Sequence, residues 1–259
     1  MEVKKRYTVL TYIFNHYEKV HEVGEKDPEA DYVLITDDPQ LKSETWQVVY
    51  DPMLDTYSPF GKCYDVRFHP FRYAKTPIVV RIDGSVEVRQ SLKPIVDEFE
   101  RGKYDRCVMI HPHRNLMRDE YDVWIKTRRY PQEQATRCMK AMERMGYNLN
   151  QRGLIQGCFE VVRNTAVNHD LNDMTFGLLA LMGNGSIERI DQTVTSFVLQ
   201  RFFPKMKLMC VSESIITDGG LMQWYIHNSD RPIPLKADEV QPYLFGKPVT
   251  TFQPIRKGK

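Results

Sequence analysis

The tripeptide Asp83-Gly84-Ser85 places a carboxylate and a hydroxyl directly after the apolar run Ile78 to Ile82. Two interpretations are open. Asp-Gly is a strong signal for a two-residue hairpin turn between alternating segments. The same residues at the end of a parallel strand can also bind a divalent cation, because carboxylate oxygens are hard ligands and a diphosphate completes the octahedral shell. The residues of this stretch alone favour the turn.

Other carboxylates stand at predicted element boundaries. Asp37 and Asp38 follow the apolar run Tyr32 to Thr36 and precede a proline, which suits either a helix cap or a contact to a nucleotide base or ribose. Asp191 begins an apolar helical segment, where it can cap the helix or face a reacting sugar. Each position therefore keeps a structural and a functional interpretation.

Basic and histidine side chains add candidates for anion and metal binding. Arg72 and Lys75 are three residues apart on one helical face, and with Arg67 they form either a solvated face or a clamp for phosphate oxygens. The loop His111 to Arg114 contains a His-x-His pair, and His227 stands alone on a strand or loop. Without a further ligand cluster nearby, these histidines are weak metal signals.

The elements that must position these residues alternate between strands and helices. The predicted strands are Tyr7 to Phe14, Tyr32 to Thr36, Trp46 to Tyr50, Ile78 to Ile82 and Cys107 to Ile110. The predicted helices run from Ser91 to Gly102, Pro131 to Met145 and Asp191 to Phe203. Strands that are apolar on both faces are typical of a sheet covered by helices on both sides. The pattern predicts an α/β domain with a doubly wound, mainly parallel sheet, whose ligands bind outside the carboxyl ends of the strands.

Composition limits the class of protein further. The 259 residues include 36 Lys and Arg against 34 Asp and Glu, a formal net charge of +2, which gives no overall signature of nucleic-acid binding. The five cysteines contain no Cys-x-x-Cys pair and fit a reducing compartment. With no signal-peptide pattern and no apolar run of bilayer length, we predict a cytoplasmic protein. We expect one domain over 1–230 and an irregular segment over 231–259, rich in proline and basic residues.

Taken in order, these motifs resemble a glycosyltransferase-like family of plant cell-wall and mucilage proteins, with bacterial and viral relatives, whose members look like GT-A glycosyltransferases. The resemblance covers roughly residues 6 to 215. Its ordered motifs are Phe14 to Tyr17, Ile35 to Asp38, Arg72-x-x-Lys75, Ile82 to Ser85, His111 to Arg114, Gly153 to Asn164 and Arg189 to Gln192. The chain departs from the family in two places. Arg81 stands where the family usually has a tryptophan, and Ile190 is inserted into an Arg-Asp-Gln motif, which shifts the register of Asp191.

The resemblance implies a single GT-A-like domain that transfers a sugar from a nucleoside diphosphate donor, UDP-linked, to an acceptor hydroxyl. It implies Mn²⁺ or Mg²⁺ at the departing diphosphate. The implied metal ligands are Asp83, Ser85 and, more weakly, His227. Tyr12 and Asp37 are implied at the nucleoside, and Arg72 and Lys75 at the diphosphate. Asp191, followed by Gln192, is implied to be the base of an inverting reaction or the stabiliser of an oxocarbenium-like centre.

Two alternatives stay open at this level. The departures at Arg81 and Asp191 also suit a catalytically inactive protein that binds a glycan or a nucleotide. The acceptor can be a saccharide, a protein or a modified base in viral DNA. The basic run Trp124 to Tyr130 and the tail Arg256 to Lys259 make a DNA acceptor conceivable, and steep salt dependence of DNA binding would support it.

Overall fold

The computed structural model describes residues 3–112, 114, 116–127, 131–182, 191–216, 220–227, 229–233, 242–245 and 247–253. The strands are β1 Tyr7–Ile13, β2 Ala30–Thr36, β3 Gln47–Tyr50, β4 Ile78–Ile82, β5 Val86–Val88, β6 Arg106–Ile110, β7 Ile155–Arg163, β8 Leu208–Val211, β9 Met222–Trp224, β10 Tyr243–Leu244 and β11 Lys247–Pro248. The helices are α1 Pro59–Phe68, α2 Lys93–Arg101, α3 Met117–Lys126, α4 Gln132–Arg144, α5 Ala166–Met182 and α6 Asp191–Phe202. Short 3-10 helices span Pro52–Thr56, Pro70–Arg72 and Glu213–Ile215.

Seven strands form the central sheet in the order β3-β2-β1-β4-β7-β6-β8. Four neighbouring pairs are parallel, and β7 runs antiparallel to both β4 and β6. The predicted α/β class and mainly parallel sheet are therefore confirmed. Each of the five predicted strands corresponds to an observed strand of this sheet, and no end differs by more than two residues.

Helices cover both faces of the sheet, and β1 contacts a helix on each face. Successive side chains of a strand point to opposite sides of the sheet. Tyr7 and Val9 pack in one buried cluster with Ile95 of α2. Leu10 packs in another with Val66 of α1. Strand side chains that are buried on both faces explain why the strands are apolar throughout instead of alternating.

The strand order reverses at β1, which lies between β2 and β4. The chain passes from β1 to β2 and β3 on one side and later returns to β4 on the other. In open α/β sheets, the crevice outside the carboxyl ends of the strands at such a reversal is where ligands bind. Tyr12 near the end of β1 and Asp83 after β4 both lie at this crevice.

The Asp83-Gly84 dipeptide forms a turn but not a hairpin. The backbone N–H of Val86 donates to the carbonyl of Asp83 at 3.0 Å, which closes a four-residue turn. However, β5 pairs with β9 and not with β4, so the turn leads the chain out of the central sheet into a second, two-stranded sheet. The hairpin interpretation is therefore wrong, and the turn carries Asp83 at the edge of the crevice.

Gly84 is required by the close approach of β1. A Cβ at this position would lie 2.7 Å from the carbonyl oxygen of Tyr12 and 3.1 Å from Cγ1 of Ile13. We expect Gly84→Ala to lower the free energy of unfolding by about 1–3 kcal/mol, the usual cost of overpacking. Urea unfolding monitored by circular dichroism measures this change.

Gly177 on α5 provides the matched control for that prediction. It is exposed, and a Cβ there would meet no atom within 4 Å. Gly177→Ala is expected to stabilise the protein by about 0.5–1 kcal/mol, because alanine loses less backbone entropy in a helix. A Gly84→Ala variant as stable as Gly177→Ala would contradict the proposed crowding at Tyr12.

The predicted helix ends agree closely with the structure. The hydroxyl of Ser91 accepts a hydrogen bond from the backbone of Lys93 at 3.2 Å, although Leu92 is the residue at the cap position of α2. Gly146, with φ of +84°, follows the end of α4 as predicted for a terminating glycine. No helix in the described part of the chain is long and apolar enough to cross a membrane.

Parts of the C-terminal segment pack on the rest of the chain. The backbone N–H of Phe252 donates to the carbonyl of Cys210 in β8 at 2.8 Å. Leu244 is buried in a cluster that contains residues of α1 and of α3 to α6. Most of the segment 234–259, including the basic tail Arg256 to Lys259, lies outside the described residues, as do His113, Arg189 and the arginines at 128 and 129.

Candidate functional site

A cavity of about 370 Å³ opens at the crevice between the carboxyl ends of β1 and β4. Its walls come from β1, α1, the turn after β4, β7, the loop after β6, and the first residues of α3 and α6. Tyr12, Asp83, Gly157 and Asp191 all line it. A pocket of this size suits a small molecule.

One face of α1 forms a wall of the pocket. Phe60, Cys63, Tyr64 and Arg67 line the cavity, and their spacing of three and four residues places them on the same helical face. Ser58 caps the N-terminus of this helix, because its hydroxyl accepts a hydrogen bond from the backbone N–H of Gly61 at 3.2 Å. This cap fixes the register in which Tyr64 and Arg67 reach the pocket.

Asp191, the first residue of α6, is held by two side chains of α1. Its Oδ1 accepts a hydrogen bond from the hydroxyl of Tyr64 at 3.0 Å, and its Oδ2 is paired with Nη1 of Arg67. The side chain is only 13% exposed. These contacts fix the direction of the carboxylate at the pocket wall. Gln192 lines the same cavity, and its buried Oε1 has no hydrogen-bond partner among the described residues.

Asp83 presents a second carboxylate to the pocket. Its Oδ1 accepts hydrogen bonds from Nη1 of Arg81 at 3.0 Å and from the hydroxyl of Tyr12 at 3.1 Å. Burial raises the pKa of Asp83 above its ordinary value, and the charge of Asp191 adds to the rise, although Arg81 and Arg67 oppose it. The charge of Asp191 is therefore close enough to influence the ionisation of Asp83.

A buried layer of charged side chains lies beneath these carboxylates. Arg81 of β4 stands directly opposite Glu160 of β7, with Nε 3.5 Å from Oε2. Nη2 of Arg106 lies 3.0 Å from the same oxygen, and Nη2 of Arg67 lies 3.6 Å from Oε1. Burial opposes ionisation of Glu160, but the three guanidinium groups outweigh it and lower its pKa to about 2. Glu160 is thus the shared anion of three arginines.

Arg67 joins the buried layer to the pocket. Its side chain is 3% exposed, and it contacts both Asp191 and Glu160. Its Nε and Nη2 atoms have no hydrogen-bond partner among the described residues. Gly157 makes room for the guanidinium, because a Cβ there would lie 2.9 Å from Nη1. The pocket wall therefore contains a buried cation that is shared between Asp191 and Glu160.

Asp37 lies beside the pocket and not in its lining. Its Oδ2 is 2.7 Å from Nζ of Lys62, and its Oδ1 accepts the backbone N–H of Asn15 at 2.9 Å. Burial opposes ionisation of Asp37, but these two donors outweigh it and hold its pKa below the usual range. Asp37 thus fixes the loop after β1, whose residues Phe14 and Asn15 line the cavity.

The structure does not bring Arg72 and Lys75 to the pocket. Both are exposed, and Arg72 is paired with Asp65. The reason is topological, because they precede β4 and therefore lie toward its amino end, whereas Asp83 follows its carboxyl end. Of the three basic residues considered for a phosphate clamp, Arg67, Arg72 and Lys75, only Arg67 lines the pocket.

The three predicted metal ligands all line the cavity but are engaged otherwise. The hydroxyl of Ser85 accepts a hydrogen bond from Nε1 of Trp224 at 3.2 Å, and Ser85 is 1% exposed. Nδ1 of His227 contacts the carboxylate of Glu18. Within the described residues, no group of three His, Cys, Asp or Glu side chains is placed to hold a metal ion. These side chains do not fit a Mn²⁺ or Mg²⁺ site.

A further wall comes from the loop after β6 and from α3. His111 lines the pocket, and its Nδ1 accepts the backbone N–H of Arg114 at 3.1 Å. The guanidinium of Arg114 pairs with the buried carboxylate of Glu120. This arrangement gives the His111 loop a structural role and adds a second arginine to the pocket lining.

Several site residues could have been recognised from signals in the sequence. Phe60, Cys63, Tyr64 and Arg67 have the spacing of one helical face. Arg81 and Glu160 are charged residues inside otherwise apolar strand patterns, which is unusual unless they are paired. The sequence does not reveal, however, that these two residues face each other.

The fold and site define an α/β protein with a ligand pocket at the point where its strand order reverses. No known family model matches the chain, and no curated protein matches it significantly. The functional argument therefore rests on the geometry and chemistry of the pocket.

Proposed function

We propose that this protein has a GT-A fold and transfers a glycosyl group from a nucleoside diphosphate sugar, UDP-linked, to an acceptor hydroxyl. One observation carries the proposal. Two carboxylates, Asp83 and Asp191, share a pocket with the buried cation Arg67 at the strand reversal of an α/β sheet. Ligands of such sheets bind at this position.

Glycosyl transfer makes two electrostatic demands that these residues meet. Negative charge develops on the diphosphate as it leaves, and a preorganised cation stabilises it. Arg67 provides this cation from a site shielded from water. Positive charge develops at the anomeric carbon, and a nearby carboxylate stabilises it. Asp191 provides this carboxylate, held by Tyr64 and Arg67.

Asp191 also has the chemistry of a general base. In an inverting reaction it would take the proton of the acceptor hydroxyl as the new bond to the anomeric carbon forms and the bond to the diphosphate breaks. In a retaining reaction it would instead stabilise the oxocarbenium-like centre. Asp83, 35% exposed at the pocket, would accept hydrogen bonds from donor hydroxyls while Tyr12 and Arg81 hold it.

The ring of Tyr12, backed by the buried ring of Phe14, offers a surface for the nucleoside. The rings of Tyr12 and Phe14 are stacked with centroids 5.9 Å apart, and both residues line the cavity. Any nucleotide base can stack on an aromatic ring, because every base has a flat π-face. This surface lies at the end of β1, next to the loop fixed by Asp37.

A second candidate function is nucleotide or glycan binding without turnover. The ion pair between Arg81 and Asp83 favours it, because it occupies a carboxylate that catalysis would otherwise use. The two candidates predict different outcomes in one assay. Binding of a nucleotide sugar without release of the nucleoside diphosphate would favour a binding protein without catalytic activity.

The experiment is incubation with UDP-, GDP- and ADP-linked sugars in the absence of an acceptor. Release of the nucleoside diphosphate is followed by chromatography, and donor binding by calorimetry. We expect slow hydrolysis of at least one donor, with water as the acceptor. If every donor tested showed neither binding nor hydrolysis, that result would contradict the proposed function.

A further inference from the structure

We infer that the pocket binds its nucleoside diphosphate without a divalent cation, because Arg81 occupies the carboxylate of Asp83 and arginines of the pocket wall can donate hydrogen bonds to the phosphate oxygens. The inference rests on the proposed function and specifies its electrostatics. It differs from the expectation drawn from the sequence, in which Asp83, Ser85 and His227 hold Mn²⁺ or Mg²⁺.

The side chain of Arg81 is held in place beside Asp83. This side chain is fully buried, with Nη1 on Asp83 and Nη2 donating to the backbone carbonyl of Gly157. Its Nε lies 3.5 Å from Glu160, directly opposite in the sheet. A guanidinium fixed from three sides does not move aside for a cation. Any divalent ion at Asp83 would therefore approach a positive charge that the fold holds in place.

The charges of the buried layer and of the two pocket aspartates balance one another. Arg67, Arg81 and Arg106 surround Glu160, which leaves two positive charges uncompensated within the buried layer. Asp83 and Asp191 compensate these two charges at the pocket wall. The carboxylates that would attract a metal ion are thus already neutralised by the protein.

Two arginines line the pocket where a diphosphate would bind. Arg114 is 23% exposed and pairs with Glu120. Arg67 is 3% exposed and pairs with Asp191 and Glu160. Arginine binds phosphate oxygens through a planar fork of donors. A diphosphate in the cavity would therefore share the guanidinium donors of these two arginines with their carboxylate partners.

Calorimetric titration of the wild-type protein with UDP, GDP and ADP tests the inference. Each titration is made with EDTA present and again with millimolar MnCl₂. We expect at least one nucleotide to bind with dissociation constants that agree within about threefold under the two conditions. Binding that is at least about tenfold tighter with Mn²⁺ would overturn the inference and leave the proposed function intact. No binding under either condition would overturn both.

Arg81→Gln tests the role of Arg81 itself. The substitution frees Asp83, so we expect Mn²⁺ to tighten nucleotide binding by about tenfold or more in this variant. Arg72→Gln, which removes an arginine outside the pocket, serves as the control and should respond like wild type. A folded Arg81→Gln variant that is indifferent to Mn²⁺ would contradict the role of Arg81. If the variant does not fold, the wild-type titration still decides the inference.

Discussion

Glu160→Gln is expected to lower the free energy of unfolding by about 3–5 kcal/mol, the usual result of removing one partner from a buried charge cluster. The variant keeps the shape of the side chain but removes the carboxylate that Arg67, Arg81 and Arg106 share. Three buried guanidinium groups then lose their shared counter-charge. Urea unfolding at neutral pH measures the loss.

The pH dependence gives this prediction a second, independent readout. The pKa of Glu160 falls from 4.5 to about 2 on folding. Its stabilising effect is therefore fully present above about pH 4.5 and is lost as the pH falls toward 2. This part of the acid-induced loss should be absent in Glu160→Gln. Glu44→Gln, at an exposed position, is the control and should unfold like wild type. Equal stability of the two variants would contradict the central role of Glu160.

Asp191→Asn is expected to reduce donor turnover by about 10²–10⁴-fold, the usual contribution of a general acid or base. Asparagine can still accept the hydrogen bond from Tyr64, but it can neither take a proton nor stabilise a positive anomeric centre. Nucleotide binding should persist, since Arg67 keeps its charge and loses a competing partner. Turnover and calorimetric affinity, measured on the same preparation, separate these effects.

Asp170→Asn is the matched control for that variant. Asp170 is exposed on α5 and does not line the pocket, so the same chemical change there should leave turnover at the wild-type level. Wild-type turnover in Asp191→Asn would exclude the assigned catalytic role. A parallel loss of nucleotide affinity would instead assign Asp191 to binding.

Much of the fold could be predicted because strong local patterns determine it. Strands buried on both faces leave long apolar runs, and Pro131 and Gly146 delimit α4 closely. The resemblance to a glycosyltransferase-like family implies that Asp83 and Asp191 share one site, and both line the cavity. The rule that ligands of such sheets lie at the carboxyl ends of the strands accounts for Asp83, which follows β4.

The rest could not be predicted because it depends on long-range register. In the sequence, Arg81 shows only as a departure from a tryptophan. Its pairing with Glu160 exists because β7 runs antiparallel beside β4 in this register. The sequence also does not show which of two neighbouring arginines reaches the pocket. Arg67 lies on the face of α1 that lines the cavity, whereas Arg72 lies beyond the end of α1 in a 3-10 helix and does not line it.

The most direct test of the central claim is a crystal structure of the protein soaked with UDP. We predict that the diphosphate lies in the cavity between the ends of β1 and β4, within hydrogen-bond distance of Arg67, and that the uracil ring stacks near Tyr12 and Phe14. A diphosphate bound elsewhere on the protein, or an empty cavity at millimolar UDP, would contradict the account.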